Sequence, residues 1–288
     1  MLIYFDQKDL IDVFDAGPDA HMHRSLRALA SGGQASIVIS EFHIYEIRRD
    51  GDRQRRLDFA QFLDSLNPKA LRTSREIHQE EVRCAFFSFL GVPYQAEAML
   101  FTSLSDLSRF KKYRAFGLPK AEVTVTAWMH HLDANPEEVA IVKNQQVIFS
   151  GFYSKLRDAV ASDKSGAETL LQEGVHTYVK HLLPLNTPAN VMIDEAARDA
   201  FLKQFRTETC ASLDLTVNLF RLMHSNPVTR VRDTQIVDLQ HVTMLPHVDL
   251  LTTDARMREY LRQVLPSSEV SKLCTNVKEV LARFPSRS

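Results

Sequence analysis

The sequence predicts an α/β protein whose central parallel sheet is built from both ends of the chain. Residues 2–6 and 36–40 are short apolar runs rich in β-branched and aromatic side chains, which is typical of buried strands. Residues 10–29 between them have helical spacing, so the chain opens as β-α-β, and this favours a parallel pair. Near the C-terminus, residues 248–253 predict a third strand and residues 271–275 a weaker fourth.

The middle of the chain has a different pattern. From about residue 53 to residue 225 most segments have helical spacing, and we predict no strand there. We therefore expect an α/β core formed by residues 1–74 and 226–288. Residues 75–225 are expected to form a mainly helical insertion packed on that core.

Composition sets the broad class. The chain has 288 residues, of which 44% are hydrophobic and 25% charged, as in a globular protein that buries a full core. The net charge of -1 means that any nucleic-acid contact must come from a local patch. Three widely separated cysteines argue against a disulfide framework. With no signal-peptide pattern and no apolar run of membrane length, we expect a cytoplasmic protein without a membrane partner.

Carboxylates stand where the predicted strands end. Asp6 directly follows the first strand, Glu46 lies on the helix after the second, and Asp254 directly follows the last. Asp238 lies in the helical segment before that last strand. The ends of parallel strands meet at one edge of a sheet, where ligands of α/β proteins bind. Crowded carboxylates repel and so favour a cation, and Mg²⁺ or Mn²⁺ suits oxygen ligands.

Three stretches resemble PIN-like domains, the metal-dependent nuclease fold of many toxin–antitoxin ribonucleases. They are LIYFDQKDLIDV at the N-terminus, VISEFHIYEI after it, and IVDLQHVTMLPHVDLLTTDARM near the C-terminus. The resemblance spans roughly the first 70 and the last 60 residues. The middle of the chain has no counterpart in the small members of the family.

The resemblance implies a three-layer α/β/α core and a metal-dependent nuclease, a hydrolase. The expected activity is that of an endoribonuclease, cleaving single-stranded or structured RNA with water activated by Mg²⁺ or Mn²⁺. It also leaves room for an antitoxin-like protein partner and for a homodimer. The residues it assigns are the metal ligands and catalytic groups Asp6, Glu46, Asp238 and Asp254, with Thr253 as a supporting hydroxyl. Two further candidate supporting groups come from their position in the same segment, namely Asp233 and His241. The competing interpretations are a helix cap for Asp233 and a helix histidine bonded to a neighbour for His241.

A basic stretch directly follows Glu46 and is a candidate RNA-binding surface. Arginines next to the proposed site can contact phosphates without reading the nucleotide sequence. The competing interpretation is a solvated face on which the arginines pair with nearby aspartates at positions 50, 52 and 58. The candidate residues are Arg48, Arg49, Arg53, Arg55 and Arg56.

Other interpretations of the acids stay open at this point. Asp6 and Asp254 each stand where a helix N-cap is expected. The whole domain could be a PIN-like module that no longer cuts and acts as a binding or scaffolding unit through its helical insertion. A phosphatase-like enzyme with Asp6 as nucleophile is disfavoured, because position 8 is Lys8 rather than a second aspartate.

Overall fold

The computed structural model describes residues 1–95, 101–103, 124–137, 158, 164–225, 239 and 241–284. Six strands form one sheet in the order β4-β3-β2-β1-β5-β6. All neighbouring pairs are parallel except β3 and β4, which are antiparallel. The strands are β1 Leu2–Tyr4, β2 Ser36–Ile39, β3 Lys69–Leu71, β4 Phe101–Ser103, β5 Leu250–Thr252 and β6 Leu273–Cys274.

Helices connect the strands and cover both faces of the sheet. Along the described chain they are α1 Gln7–Asp15, α2 His21–Ser31, α3 Glu41–Arg48, α4 Arg53–Ser65, α5 Ser74–Phe89, α6 Val125–Ala134, α7 Lys164–Leu182, α8 Glu195–Gln204, α9 Ala211–Ser225, α10 Ala255–Val264, α11 Ser267–Val270 and α12 Val277–Ala282. The α/β class and the parallel sheet predicted from the sequence are confirmed.

Two of the six strands were missed by the sequence patterns. We predicted no strand between residues 53 and 225, yet β3 and β4 lie in that range. Strand β3 contains no β-branched or aromatic side chain, the signal by which β1 and β2 were predicted. The predicted strand at 248–253 is shorter in the structure, because a 3₁₀ turn at Leu245–His247 precedes it.

Successive residues of the strands point to opposite faces and build two separate cores. Ile3, Ile37 and Leu250 pack in one hydrophobic cluster with α1, α2, α4, α6 and α12. The next residue of each strand, including Tyr4 and Leu251, packs in a second cluster with α9 and α10. The sheet is therefore buried on both faces, as expected for parallel strands.

A third hydrophobic cluster lies among α5, α7, α8 and α9. Two helices, α5 and α9, contribute residues both to this cluster and to a core on the sheet. Ile77 of α5 belongs to the core on the sheet, whereas Val82 and Phe86 of the same helix belong to the third cluster. The helical region is thus packed on the α/β core through shared helices. In the part of the chain that the structure describes, no helix is both apolar enough and long enough to cross a membrane.

Candidate active site

The candidate site lies at the carboxyl edge of the sheet, where the direction of strand addition reverses. From β1 the chain adds β2 and β3 on one side and later adds β5 and β6 on the other. Ligands of open α/β sheets bind in the crevice outside the strand ends at such a switch point. Asp6 follows β1 and Asp254 follows β5, so the two acids flank this crevice.

Asp6 is tied to the neighbouring strand and to its own helix. Its backbone N–H donates to Thr252 Oγ1 over 2.8 Å, and its carboxylate accepts from the Lys8 N–H at 2.9 Å as the N-cap of α1. Burial raises the pKa of Asp6 above its usual range. The Lys8 N–H and His241 lower it, whereas the charges of Glu46 and Asp254 raise it further. The charges of two acids from distant chain segments therefore act on Asp6.

Asp254 caps α10, as its position predicted. Its carboxylate accepts from the Met257 N–H at 2.7 Å, and α10 begins at the next residue. The side chain remains exposed at the mouth of the crevice. A cap uses one carboxylate oxygen, so the role of Asp254 as an N-cap is compatible with a second role as a ligand.

Glu46 lies on α3 and faces His241. Glu46 Oε2 is 3.5 Å from His241 Nε2, and the Glu46 side chain is 25% exposed. Burial acts to raise the pKa of Glu46, but His241, His43 and Arg49 outweigh it and leave that pKa below its usual range. Glu46 is therefore held in its charged form beside the electrostatically coupled Asp6.

A buried polar network lies beneath the acids. The Tyr4 hydroxyl is 2.7 Å from Ser40 Oγ and is in close hydrogen-bond contact with His241 Nδ1. His43 Nε2 donates to the Phe5 carbonyl at 2.8 Å, and His43 Nδ1 accepts from the Ser40 N–H at 3.0 Å. Burial and the nearby His241 lower the pKa of His43 to about 3, so this ring stays neutral.

Two residues of this edge were missed by the sequence patterns. Asp9 lies one turn after Asp6 on α1, and its carboxylate is hydrogen-bonded to the Thr252 side chain. Burial and the charges of Asp6 and Asp12 raise the pKa of Asp9 to about 6. The i, i+3 spacing from Asp6 was visible in the sequence. The contact of Thr252 with Asp6 was not visible in the sequence, and the neighbouring Thr253 was assigned as the supporting hydroxyl instead.

The supporting residues predicted from the sequence have different outcomes. Thr253 is buried, and it is the hydroxyl of its neighbour Thr252 that contacts the Asp6 backbone. His241 lies at the site, against Tyr4 and Glu46. Asp238 and Asp233 lie outside the described residues, so their assignments remain predictions.

The arginines after Glu46 are largely engaged in ion pairs. Arg48, Arg53 and Arg56 converge on Asp133 of α6, at 3.0, 3.2 and 2.9 Å. Arg55 pairs with Asp15 at 2.8 Å and with Asp50.

Arg49 is exposed, and its charge acts on Glu46. The ion pairs of Arg48, Arg53 and Arg56 attach α6 to α3 and α4, with Arg56 almost fully buried. Arg55 instead joins α4 to the last residue of α1. Of these five candidates, Arg49 is the one placed to meet a ligand without first breaking an ion pair within the described structure.

The donor set suits a hard cation, but the described acids alone do not complete a site. In the described ranges, no three His, Cys, Asp or Glu side chains have the arrangement of a metal-binding group. Asp6, Glu46 and Asp254 would therefore need a further ligand or a closer approach. No family model, no curated protein and no solved structure matches this chain.

Proposed function

We propose that the protein is a PIN-like, Mg²⁺- or Mn²⁺-dependent endoribonuclease. The observation that carries the proposal is the position of Asp6 after β1 and Asp254 after β5 at the switch point of the sheet, with the charges of Glu46 and Asp254 raising the pKa of Asp6. A mutually repelling acid cluster in a ligand-binding crevice is what a divalent cation would relieve. The three-layer core and the order of the motifs support the same reading.

The roles of the residues follow from their chemistry. Asp6, Glu46 and Asp254 would hold the cation, together with Asp238 as the predicted fourth ligand. A cation bound there would supply a water of lowered pKa and neutralise charge on the phosphate under attack. Asp6 and Asp254 are fixed by their capping hydrogen bonds, so their free oxygens are oriented before the ligand arrives.

RNA is the proposed substrate because of the charge next to the acids. Arg49 is exposed one residue beyond the paired Arg48, and its charge lowers the pKa of Glu46. Phosphate contacts of this kind position a backbone without reading its sequence. Helix α6, attached to α3 and α4 through Asp133, would then border the substrate path.

One observation favours a second candidate function, a PIN-like binding module that does not cut. Glu46 is already paired with His241 inside the chain at 3.5 Å. A histidine beside the glutamate can offset its charge without any cation. In that case the acids would be a remnant, and the helical region would carry the interaction.

The experiment compares wild type with Asp6→Asn and Asp254→Asn. Asparagine keeps the N-cap but removes the charge, so the fold should survive. We expect both variants to lose cleavage of single-stranded RNA in Mn²⁺ by at least about a hundredfold and to bind Mn²⁺ more weakly in calorimetry. Single-stranded DNA serves as the substrate comparison.

The control is Asp58→Asn, since Asp58 is an exposed acid on α4. It should cut and bind Mn²⁺ like wild type. Cleavage by Asp6→Asn at the wild-type rate would contradict the nuclease proposal. A folded wild-type protein that neither cuts RNA nor binds Mn²⁺ would favour the binding module.

A further inference from the structure

We propose that a pocket in the helical region binds an amphipathic organic anion, with its apolar body inside the pocket and its carboxylate or phosphate group on Lys203 and Arg206. The pocket lies between α7, α8 and α9 and has a volume of about 320 Å³. This inference goes beyond the proposed nuclease and does not depend on it, because none of the residues involved belongs to the acid edge of the sheet.

The floor of the pocket is apolar. Leu171 of α7, Leu202 of α8 and Val217 of α9 line it, and all three are buried in the third hydrophobic cluster. Phe205 also lines the pocket, and its ring packs on Phe201 with the ring centroids 5.4 Å apart. The volume is at the lower end of the range of roughly 300–1,000 Å³ found for small-molecule sites, so a ligand with one or two rings or a short chain would fit.

Two cationic side chains line the same pocket at the end of α8. Lys203 and Arg206 are both exposed, and in the described ranges neither side chain has an ion pair or a hydrogen bond within the chain. Lys203 stands in the last turn of α8, where a lysine complements the helix dipole without any ligand. Arg206 lies beyond the end of the helix, so the dipole does not explain it.

The third cation of the lining, Arg221 of α9, is by contrast already engaged. Its guanidinium donates to both oxygens of Glu168, at 3.0 and 2.8 Å. The charges of Asp214 and of Glu208, the acid of the lining, also act on Arg221. The acids of this region are therefore gathered around Arg221, and among the described residues none of them pairs with the two cations at the end of α8.

This combination of an apolar floor and two unengaged cations defines the chemistry of the ligand. Burial of an apolar body supplies affinity, and a charged group at its end fixes the orientation. The guanidinium fork of Arg206 matches two oxygens of a carboxylate or a phosphate, and Lys203 adds a point charge. An inorganic anion alone would gain little from exposed cations, so the apolar body is required.

The test is a fluorescence titration of the full chain with anilinonaphthalene sulfonate, a dye whose anionic group stands on an apolar ring system. We expect saturable binding. The double variant Lys203→Gln, Arg206→Gln should raise the Kd for the dye by at least about tenfold, because the charge-assisted hydrogen bonds to the anion are lost. Both residues are exposed, so the fold should survive. The control is Lys180→Gln, an exposed lysine of α7 outside the lining, which should leave the Kd unchanged.

Val175→Phe tests the apolar floor without changing any charge. Val175 is half-buried on α7 and lines the pocket, so the larger ring should fill the space that the ligand needs. We expect the Kd for the dye to rise by at least about tenfold, with thermal melting used to confirm the fold. If Val175→Phe does not fold, Gln172→Trp takes its place, because Gln172 is exposed and lines the same pocket. Unchanged dye binding in the folded variant would place the dye elsewhere and overturn the proposal.

Competition with the dye identifies the anionic group. Octanoate tests a carboxylate and phenyl phosphate tests a phosphate, and we expect at least one of them to displace the dye. Octanol and inorganic phosphate each carry half of the proposed chemistry and should compete at least about tenfold more weakly. Equal competition by octanol would overturn the role of the cations, and equal competition by inorganic phosphate would overturn the role of the floor. Displacement by neither octanoate nor phenyl phosphate would mean an adventitious additive only.

Two further outcomes decide the proposal. A titration without saturation, or a double variant that binds the dye like wild type, would overturn it. A double variant that loses affinity for single-stranded RNA but keeps its affinity for the dye would assign the cations to nucleic acid and would overturn it too. The expected dye binding in a protein that does not cut RNA would support this inference while removing the proposed function.

Discussion

The described part of the chain contains two Glu–His pairs, and their surroundings differ. Glu81 of α5 accepts from the Ser212 and Leu213 N–H groups at 2.8 and 3.2 Å, and His247 lies 3.3 Å from it. Glu46 faces His241 and, in the described part of the chain, accepts from no backbone N–H. The charge of Glu46 also acts on another acid, because it raises the pKa of Asp6.

The comparison separates a structural carboxylate from one available for a ligand. Glu81 caps the N-terminus of α9, where orphan N–H groups and the helix dipole favour a negative charge. Ser212 Oγ also contacts His247 Nε2 at 2.8 Å, so this polar cluster is satisfied within the fold. Within the described residues Glu46 has no such backbone anchor, and its charge acts on Asp6 at the carboxyl edge of the sheet. The Glu81–His247 pair thus stabilises the start of α9, whereas the Glu46 carboxylate remains available for a ligand.

The largest expected effect is on stability and sharpens this difference. Glu81→Ala leaves two helix N–H groups and the partly buried His247 without this acceptor, so we expect the free energy of unfolding to fall by about 3 kcal/mol. Glu46→Ala relieves repulsion with Asp6 as it removes the His241 contact, so its change should stay below about 1 kcal/mol. Urea unfolding at pH 7 measures both, with the exposed Glu259→Ala as control. Equal losses for Glu81→Ala and Glu46→Ala would remove the distinction.

A smaller effect of opposite sign is expected from Asp9→Asn. The pKa of Asp9 is raised from 3.8 to about 6. Because the pKa of Asp9 is higher in the folded state than in the unfolded state, the charged carboxylate destabilises the fold. The free energy of unfolding of the wild-type protein therefore falls as Asp9 ionises, between about pH 4 and about pH 6. The difference corresponds to roughly 3 kcal/mol, which we discount to about 1 kcal/mol because the side chain is partly exposed.

Asp9→Asn should therefore be more stable than wild type at pH 7 and equal to it below about pH 4. Chemical denaturation at a series of pH values measures this, with Asp58→Asn as an exposed control. A loss of stability at pH 7 would show that Asp9 is held in its charged form, as Glu81 is, and the acid edge would then be structural too.

The smallest expected effect concerns Arg49, which should act on binding and not on stability. Arg49→Gln should leave the free energy of unfolding within about 0.5 kcal/mol. It should flatten the salt dependence of RNA binding by about one unit of slope, since one phosphate contact is lost. Fluorescence titration of the Asp6→Asn protein with single-stranded RNA at several salt concentrations measures the slope.

Arg56→Gln is the contrasting variant, because Arg56 is buried against Asp133 at 2.9 Å. We expect it to destabilise the protein while leaving the salt slope unchanged. If Arg49→Gln changes neither affinity nor slope, this surface does not contact RNA.

Features of the site that depend on neighbouring residues could be predicted from the sequence, whereas features that depend on contacts between distant parts of the chain could not. Asp6 and Asp254 could be assigned because a strand ending in an acid before a helix is a local pattern, and both do cap the helices that follow. His241 was visible only as a helical histidine. Its contact with Tyr4 joins residues separated by 237 positions, which no local pattern contains.

The sequence by itself determined the α/β class, the parallel pairing of β1 and β2, and the acids after β1 and β5. These follow from hydrophobic periodicity and capping chemistry, which act over a few neighbouring residues. The tertiary structure alone decided that β3 and β4 join the sheet, since three-residue strands exist only when a partner completes their hydrogen bonds. It also decided which glutamate is anchored and which is available, because burial and partner groups, and not residue type, set the energy of a charge.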